Sequence, residues 1–329
     1  MTVRPSTLPA HLSHADDARA AFALDVQYYL SQDPKQLPSC YLYDALGSCL
    51  FEAICRLPWY PITRAEMRLL GAHGHDILAG AGPLSSIVEL GSGSGEKLAT
   101  LLSARRQRNP LTLHLIDLSA TALSLSERTL VALDDVQIAT HQATYEAGLE
   151  EVRRPCDAHG RTLVLFLGSN IGNFDPPGAE ALLRATRAAL RPGDGLLLGA
   201  DLVKPDAVLQ LAYDDPLGVT AAFNRNLLVR INRELGADFD VDAFAHNARW
   251  NAQESRVEMH LVSLKRQTVR IAAAAAAFTL DDGESIWTES SYKYEARDIV
   301  TLAERAGFLL DAQWLDADDG FALTLVKAA

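Results

Sequence analysis

The pattern of apolar and polar positions changes character twice along the chain. From about residue 85 to 200, short apolar runs alternate with segments whose apolar residues recur at helical spacing. Strands are predicted at 86–90, 111–116, 136–140, 162–167 and 194–200, and helices at 96–106, 119–131 and 178–191. Such alternation builds a parallel sheet covered by helices on both faces. Ile87-Val88-Glu89-Leu90 and Leu163-Val164-Leu165-Phe166-Leu167 are apolar on both faces, as buried parallel strands are. Arg191-Pro192-Gly193-Asp194 stops a helix before the fifth strand.

The flanks follow other rhythms. Residues 1–17 read as a flexible lead-in, followed by a helix over 18–30 and a turn at Asp33–Pro38. Tyr41, Tyr43, Leu50, Phe51, Ile54 and Leu57 predict a helix within 41–60, broken by Pro58 and Pro61. Thr63-Arg64-Ala65-Glu66 has the form of a capping box opening the next helix. Residues 201–290 carry two helical stretches, 205–212 and 219–236, then strand-like alternation over 245–271. The six alanines from Ala272 to Ala277 say helix by propensity, whereas their flanks say strand. The end restores order, with a helix at 296–306 and strands at 308–315 and 320–327. The expected organisation is therefore a nucleotide-type α/β domain made of 63–200 and 291–329, and a second α+β lobe made of 18–62 and 201–290.

The joint between the first strand and its helix is the most informative stretch. Glu89-Leu90-Gly91-Ser92-Gly93-Ser94-Gly95-Glu96-Lys97 spaces its glycines G-x-G-x-G. That is neither the G-x-G-x-x-G of dinucleotide binders nor a P-loop with its Lys-Ser/Thr. Small residues let the backbone approach a ligand closely, and the helix that follows offers free N–H groups. An acid before the first glycine, Glu89, suits a ligand carrying ammonium or sulfonium charge. These features favour S-adenosylmethionine (SAM) over NAD. Asp117, at the end of the second strand, sits where open α/β sheets bind ribose hydroxyls; its alternative is a helix cap near Ser119. Gly168-Ser169-Asn170-Ile171-Gly172-Asn173-Phe174-Asp175 follows the fourth strand, also at a ligand-binding end of the sheet.

Composition narrows the partners. The chain has 329 residues, 48% apolar, with a net charge of -12 and no basic block. Nucleic acid and anionic membrane are poor partners for such a surface, and small molecules are better ones. Cys40, Cys49, Cys55 and Cys156 form no C-x-x-C pair, which points to free thiols in a cytoplasmic protein rather than zinc. No apolar run reaches membrane-spanning length, and the N-terminus lacks a signal segment. Asp214, Asp215, Asp238, Asp240 and Asp242 read as solvated caps, not a metal site. Met259 reads as core-facing, His260 as a surface histidine, and Trp287–Tyr294, taken alone, as an exposed strand edge.

Together these pieces resemble one family. The stretches are Tyr43-Asp44 with Gly47-Ser48 and Leu50-Phe51-Glu52, Thr63–Glu66, Val88–Gly93, Phe166–Ser169, Ile171–Asn173, Ala212–Asp215, Gly218–Asn224, Asn232–Leu235 and Glu258-Met259. They look like the histidine Nα-methyltransferases of ergothioneine biosynthesis, from about residue 20 to the end. The resemblance implies a Rossmann-like SAM-dependent methyltransferase sheet with an antiparallel last strand. It implies that Glu89, Gly91, Gly93, Lys97, Asp117, Thr144 and Tyr145 hold SAM. Asn173 and Tyr213 match residues that take the substrate carboxylate, with Asn170 beside them. Glu289 and Ser291 match the pair for the imidazole nitrogens, and Met259 lines that pocket. Tyr43, Phe51 and Tyr60 match lid aromatics, and the Gly168 carbonyl one near the amine. Tyr43 is the candidate for orienting the amine or relaying its proton. The expected product is Nα,Nα,Nα-trimethylhistidine (hercynine), made from L-histidine and its Nα-methylated forms by a monomer.

The chain departs from the family pattern at three places. Ala143-Thr144-Tyr145 stands where a small-Asp-aromatic segment receives the adenine amine, Asn170 stands for a Thr, and Trp59-Tyr60-Pro61-Ile62 replaces a Glu-Tyr-Tyr-Pro lid. The competing readings are a relative acting on another amino acid such as tryptophan, and a SAM-sensing module without catalysis. Glu289 discriminates against the first, because an indole has one donor and leaves a buried carboxylate poorly paired.

Overall fold

The computed structural model describes residues 14–106, 109–152 and 160–329; expectations for residues 1–13 and for Cys156 lie outside them. In chain order the strands are β1 (Lys35–Gln36), β2 (Leu84–Leu90), β3 (Leu111–Asp117), β4 (Val136–Gln142), β5 (Arg161–Phe166), β6 (Gly195–Asp201), β7 (Phe244–Asn251), β8 (Arg256–Ser263), β9 (Gln267–Ile271), β10 (Ala276–Leu280), β11 (Ser285–Tyr292), β12 (Phe308–Asp316) and β13 (Phe321–Ala328). Seven form one sheet in the order β12-β13-β6-β5-β2-β3-β4. β2 to β6 pair in parallel, and β13 enters antiparallel between β6 and β12. This is the α/β sheet with an antiparallel last strand that the sequence predicts.

Side chains alternate across that sheet into two cores. Ile87, Leu113, Leu115, Leu163, Leu165 and Leu197 meet Leu70 and Ile77 of helix Ile62–Ala81 and Leu98 and Leu101 of helix Glu96–Ser103. Val88, Leu90, Val164, Phe166, Leu196 and Leu198 meet Leu182 and Leu183 of helix Pro176–Ala189 and Ile299 of helix Ala296–Arg305. Each such fully buried aliphatic contributes roughly 1.5–3 kcal/mol, so the sheet is a rigid base for the loops at its strand ends. The second lobe has a four-stranded sheet, β1-β11-β8-β7. Val257, Met259 and Leu261 of β8 and Phe223, Leu227 and Ile231 of helix Val219–Leu235 belong to the first of the two cores. The lobe is therefore packed continuously onto one face of the central sheet.

Local expectations change in six places. The first helix begins at His14, inside the supposed lead-in. The helix expected within 41–60 is a 3-10 turn, Ser39–Leu42, and a helix, Ala45–Cys55. Asp44 caps the latter, accepting from the Gly47 N–H at 2.7 Å. A Cβ on Gly47 would stand 1.7 Å from the Leu42 carbonyl oxygen, so only glycine fits this entry. The capping box at Thr63–Glu66 does not form: the helix starts at Ile62 behind Pro61, whose fixed φ suits a helix start, and Glu66 points inward. Ala272–Ala274 make a 3-10 turn, Ala275 takes φ 47°, and β10 begins at Ala276. The alanines thus turn a hairpin whose register is set by flanking pairs such as Val269 with Phe278. β11 lies between β1 and β8, not at an edge, and runs to Tyr292, past residue 290 where the lobe was expected to end. Helix Tyr145–Val152 follows β4 unannounced.

Candidate active site

The carboxyl ends of β2, β3, β4 and β5 open into a cleft of about 610 Å³, a volume suited to a small molecule of cofactor size. Gly91, Gly93, Asp117, Thr144, Tyr145, Asn170 and Asn173 line it, with Phe51 and Glu52 of helix Ala45–Cys55 overhead. Gly91 has φ 78°, and a Cβ there would meet Asn170 Nδ2 at 2.6 Å and Tyr145 Oη at 3.0 Å. The glycine therefore keeps the loop against the floor and leaves the cleft open. Asp117 Oδ1 accepts from the Ser119 N–H at 2.9 Å and Oδ2 from the Gly93 N–H at 3.4 Å, which ties the end of β3 to the glycine loop. Burial raises the Asp117 carboxyl above its usual range, against those hydrogen bonds. Ser119, not Asp117, caps helix Ala120–Leu130. Thr144 Oγ1 accepts from the Ala147 N–H at 3.3 Å and so caps helix Tyr145–Val152 at the cleft wall.

Beneath the glycine loop lies a group of buried charges. Glu89 is buried, its Oε2 has no hydrogen-bond partner, and burial pushes its pKa up to about 8, with Lys97 opposing and Glu66 and Asp117 adding. Lys97 lines the same region, but its ammonium is engaged, 2.7 Å from Glu66 Oε2. Both Glu66 oxygens accept from the Gly168 N–H at 2.9 Å. Glu66 thus fixes the turn after β5. Gly199 makes room for it: a Cβ there would lie 2.1 Å from Glu66 Oε1. Sequence reasoning took Glu66 for a helix-capping acid and missed this role. A buried acid with a partnerless oxygen, lining the space under the glycine loop with Gly91, Gly93 and Gly95, fits a ligand whose positive charge would draw it into its ionised form, and SAM carries such a charge.

A second, smaller cavity adjoins the cleft. It is lined by Tyr43, Phe51, Tyr60, Gly168, Asn170, Asn173, Tyr213, Met259, Glu289 and Ser291, all ten residues expected at the substrate. Tyr43, Phe51, Asn170 and Asn173 line both spaces and mark their junction. Aromatic rings form its roof: Tyr43 meets Phe51 at 5.5 Å and Phe223 at 5.4 Å, and Tyr60 meets Phe51 at 6.4 Å and Tyr213 at 6.2 Å between centroids. Burial holds the Tyr43, Tyr60 and Tyr213 phenols above their ordinary pKa, so they stay neutral. The lid is latched from below. Asp44 accepts from Asn226 Nδ2 and Arg233 Nη2, both at 2.7 Å, which joins the lid helix to helix Val219–Leu235.

The polar end of the cavity comes from β8 and β11. A bulge between Trp287 and Glu289 brings Glu289 opposite Met259. Thr288 Oγ1 holds that bulge, 2.7 Å from Asn224 Oδ1 and 3.0 Å from the Met259 carbonyl oxygen. Glu289 Oε2 is buried without a partner, and burial pushes the carboxyl up to about 7 against the pull of Lys293. Tyr213 O–H donates to Ser291 Oγ at 2.8 Å. Behind both hydroxyls stands Lys293, fully buried, which sequence reasoning missed although its alternation with Glu289 and Ser291 puts it on the same side of the strand path. His260 is not a surface residue: it is buried, 6.0 Å from the Trp287 ring, with Nε2 3.3 Å from Glu258. Asp215 is a buried cap, accepting from the N–H groups of Leu217, Val219 and Thr220, while Asp238 and Asp240 pair with Arg270 and Lys265. Among the described residues no group of three or more His, Cys, Asp or Glu could hold a metal, and no helix is long and apolar enough to cross a membrane.

A parallel sheet with an antiparallel last strand, an acid-tipped second strand and a glycine-walled cleft opening into a smaller side pocket define a SAM-dependent methyltransferase of small molecules. Family membership follows from the sequence as a whole. The chain belongs to the SAM-dependent, histidine-specific methyltransferases, whose family model matches residues 22–328. It is 43% identical over 312 residues to a histidine N-alpha-methyltransferase of Mycobacterium tuberculosis, covering 94% of this chain and 96% of that one. It is 42% identical over 313 residues to the protein of the same name from Mycolicibacterium smegmatis, with 94% and 96% covered. Over 207 residues, 62% of this chain, it is 32% identical to ergothioneine biosynthesis protein 1 of Neurospora crassa, of which it covers 23%.

Proposed function

We infer that this chain transfers methyl groups from SAM to the α-amino nitrogen of L-histidine and yields Nα,Nα,Nα-trimethyl-L-histidine, hercynine, as a step of ergothioneine biosynthesis. The observation that carries this reading is Glu289. Its buried, partnerless oxygen faces a cavity shared with Ser291, Tyr213 and Asn173. A buried carboxylate left so is costly unless a ligand pairs with it. An imidazole offers the N–H that does so, and a hydroxyl serves its other nitrogen.

Bound SAM supplies an electrophilic methyl on a sulfonium. Asp117 would hold its ribose and Thr144 its adenine, while Gly91 and Gly93 give backbone access and Glu89 offsets its positive charge. The chain's own work is placement. Asn173 and Tyr213 take the substrate carboxylate. The α-amine comes to rest where the pocket meets the cleft, beside Tyr43 and the Gly168 carbonyl. Tyr43 stays a neutral phenol, so it orients the amine by hydrogen bonding rather than taking its proton as a phenolate. The aromatic lid excludes water. The residues lining both spaces come from this one chain, which supports a monomer, and the free thiols Cys40, Cys49 and Cys55 suit the cytoplasm.

Mass spectrometry of histidine incubated with SAM and the protein tests this. Sequential gains of one, two and three methyl groups on the α-nitrogen are expected. A tenfold preference for tryptophan or another amino acid in a panel of twenty would overturn the pocket assignment.

A further inference from the structure

Lys293 is a buried cation to which the methyl transfer proposed above assigns no part. Its side chain is 0% exposed and its three protons are all placed. It donates to Tyr213 Oη at 2.7 Å and to Ser291 Oγ at 2.9 Å, and it lies 3.1 Å from Asp201 Oδ2. Asp201 is shared, because Lys204 Nζ stands 2.6 Å from its Oδ1. One carboxylate between two ammonium groups leaves net positive charge behind the pocket wall.

The directions of these hydrogen bonds have a consequence for the pocket. A serine oxygen has two lone pairs and one hydrogen. Lys293 and Tyr213 occupy both lone pairs of Ser291. What Ser291 has left to offer a ligand is its hydrogen. Glu289, the neighbour at the same end of the cavity, offers an acceptor. The pair therefore reads one donor and one acceptor on a ring. If Tyr213 turns its hydrogen to a substrate carboxylate, one Ser291 lone pair is released, yet the ammonium remains 2.9 Å behind it and repels a second cation. The titratable groups facing this end are Glu289, Tyr43, Tyr60 and Tyr213, with Asp201 beyond Lys293.

Building on the histidine reading above, we propose that Lys293 is a positioning residue that makes Ser291 a hydrogen-bond donor and so selects the neutral, single-tautomer imidazole of the substrate over the imidazolium. A neutral ring has one N–H for Glu289 and one lone pair for Ser291. An imidazolium has two N–H groups, and the second would meet a hydroxyl already donating outward with a buried cation behind it. A lysine that only braced the fold would leave the ring's protonation state unchanged on mutation.

The test is 15N NMR of labelled histidine in the ternary complex with S-adenosylhomocysteine at pH 6, where much of the free imidazole is protonated. A nitrogen bearing hydrogen and one bearing a lone pair resonate far apart. The full-length protein is expected to show one of each for the bound ring. Lys293→Met is expected to shift both signals to imidazolium positions and to weaken histidine binding about tenfold or more, with S-adenosylhomocysteine affinity within about twofold. Lys293→Gln keeps a donor and drops the charge, and is expected to show a mixture of the two ring forms. An imidazolium bound to the unmutated protein overturns the proposal even if neither variant folds. So does a neutral ring retained in both folded variants. Failure of the unmutated protein to bind histidine at all would instead remove the histidine reading, and this inference with it.

Discussion

The cofactor cleft and the amino-acid pocket share a boundary but are built by opposite means. The cleft uses what is local: a strand end, the glycines that follow it, and an acid at the end of the next strand, joined by backbone N–H groups at 2.9 and 3.4 Å. The pocket uses what is remote. Its wall draws on residues from Tyr43 to Ser291, and its polar end depends on Lys293, Asp201, Asn224 and a β-bulge. The space under the glycine loop beside the cleft leaves one acid, Glu89, with a partnerless oxygen; the pocket leaves another, Glu289. Each half therefore carries an acid with an unpaired oxygen, and the proposed ligands would bring positive charge to one and an N–H to the other. Mutations that separate these two acids test the comparison most directly.

The largest effect is expected at Glu89. Its pKa is raised from 4.5 to about 8 in the folded chain, so the unfolded carboxyl ionises first as pH rises. The ligand-free protein should then be most stable below about pH 4.5 with respect to this group, and should lose on the order of 3–5 kcal/mol as pH climbs to 8. Glu89→Gln removes that slope. In urea unfolding without ligand, the variant should match the parent near pH 4.5 and exceed it at pH 8, while binding SAM more weakly. Parallel pH profiles for the two proteins would show that Glu89 is ionised and solvated at neutral pH.

Asp117→Ala comes next. Loss of charge-assisted hydrogen bonds to the ribose should weaken SAM binding by about 1.5–3 kcal/mol, roughly ten- to a hundredfold, with the sheet intact. Calorimetry giving an unchanged SAM affinity would remove Asp117 from the cofactor site. Glu289→Ala should act on the other side of the boundary. An imidazole N–H left unsatisfied costs about 1–3 kcal/mol. The loss should fall on the histidine KM rather than kcat, because the contact is the same in ground and transition states. SAM affinity should not move. A histidine KM unchanged in this variant would mean that the ring is read elsewhere.

This difference also explains what the sequence reveals. The five parallel strands, the closing hairpin, Gly91 and Asp117 are legible because each depends on periodicity or on residues a few positions apart. Glu66 is misread because its local surroundings match a capping box, while its true partners, Lys97 and the Gly168 N–H, lie 31 and 102 positions away. His260 is misread as exposed because period-2 alternation assumes one solvated face, and that face of β8 is covered by Trp287 and charged side chains. The lid helix is misread at its start because Asp44 and Gly47 set its entry, and Asp44 is held in turn by Asn226 and Arg233. Of the ten pocket residues, Gly168, Asn170 and Asn173 are legible from their place after a strand, and the other seven only through resemblance to a family. No spacing rule links Tyr43 to Glu289. Buried charges are compensated over long range, and that compensation leaves little trace in a window of twenty residues.

The smallest expected effect concerns Thr144, which stands where the family resemblance implies an acid beside the adenine. Thr144 already has a structural task, since its Oγ1 accepts from the Ala147 N–H at 3.3 Å at the start of helix Tyr145–Val152. Aspartate is an equally good N-cap and its charge suits a helix start, so Thr144→Asp should leave the fold unharmed or a few tenths of a kcal/mol more stable. Its second oxygen would be free to accept from an adenine amine in the cleft that Thr144 lines. Against this, Asp117 and Glu146 line the same cleft and disfavour a further negative charge. The net expectation is a gain of about 0.5–1.5 kcal/mol in SAM binding, roughly three- to tenfold, with the histidine KM unchanged. Two measurements on one variant separate its roles. A higher melting temperature with no tighter SAM binding would make position 144 a helix cap alone. Tighter binding would place the adenine against it and show that the cleft retains its shape after losing a charge.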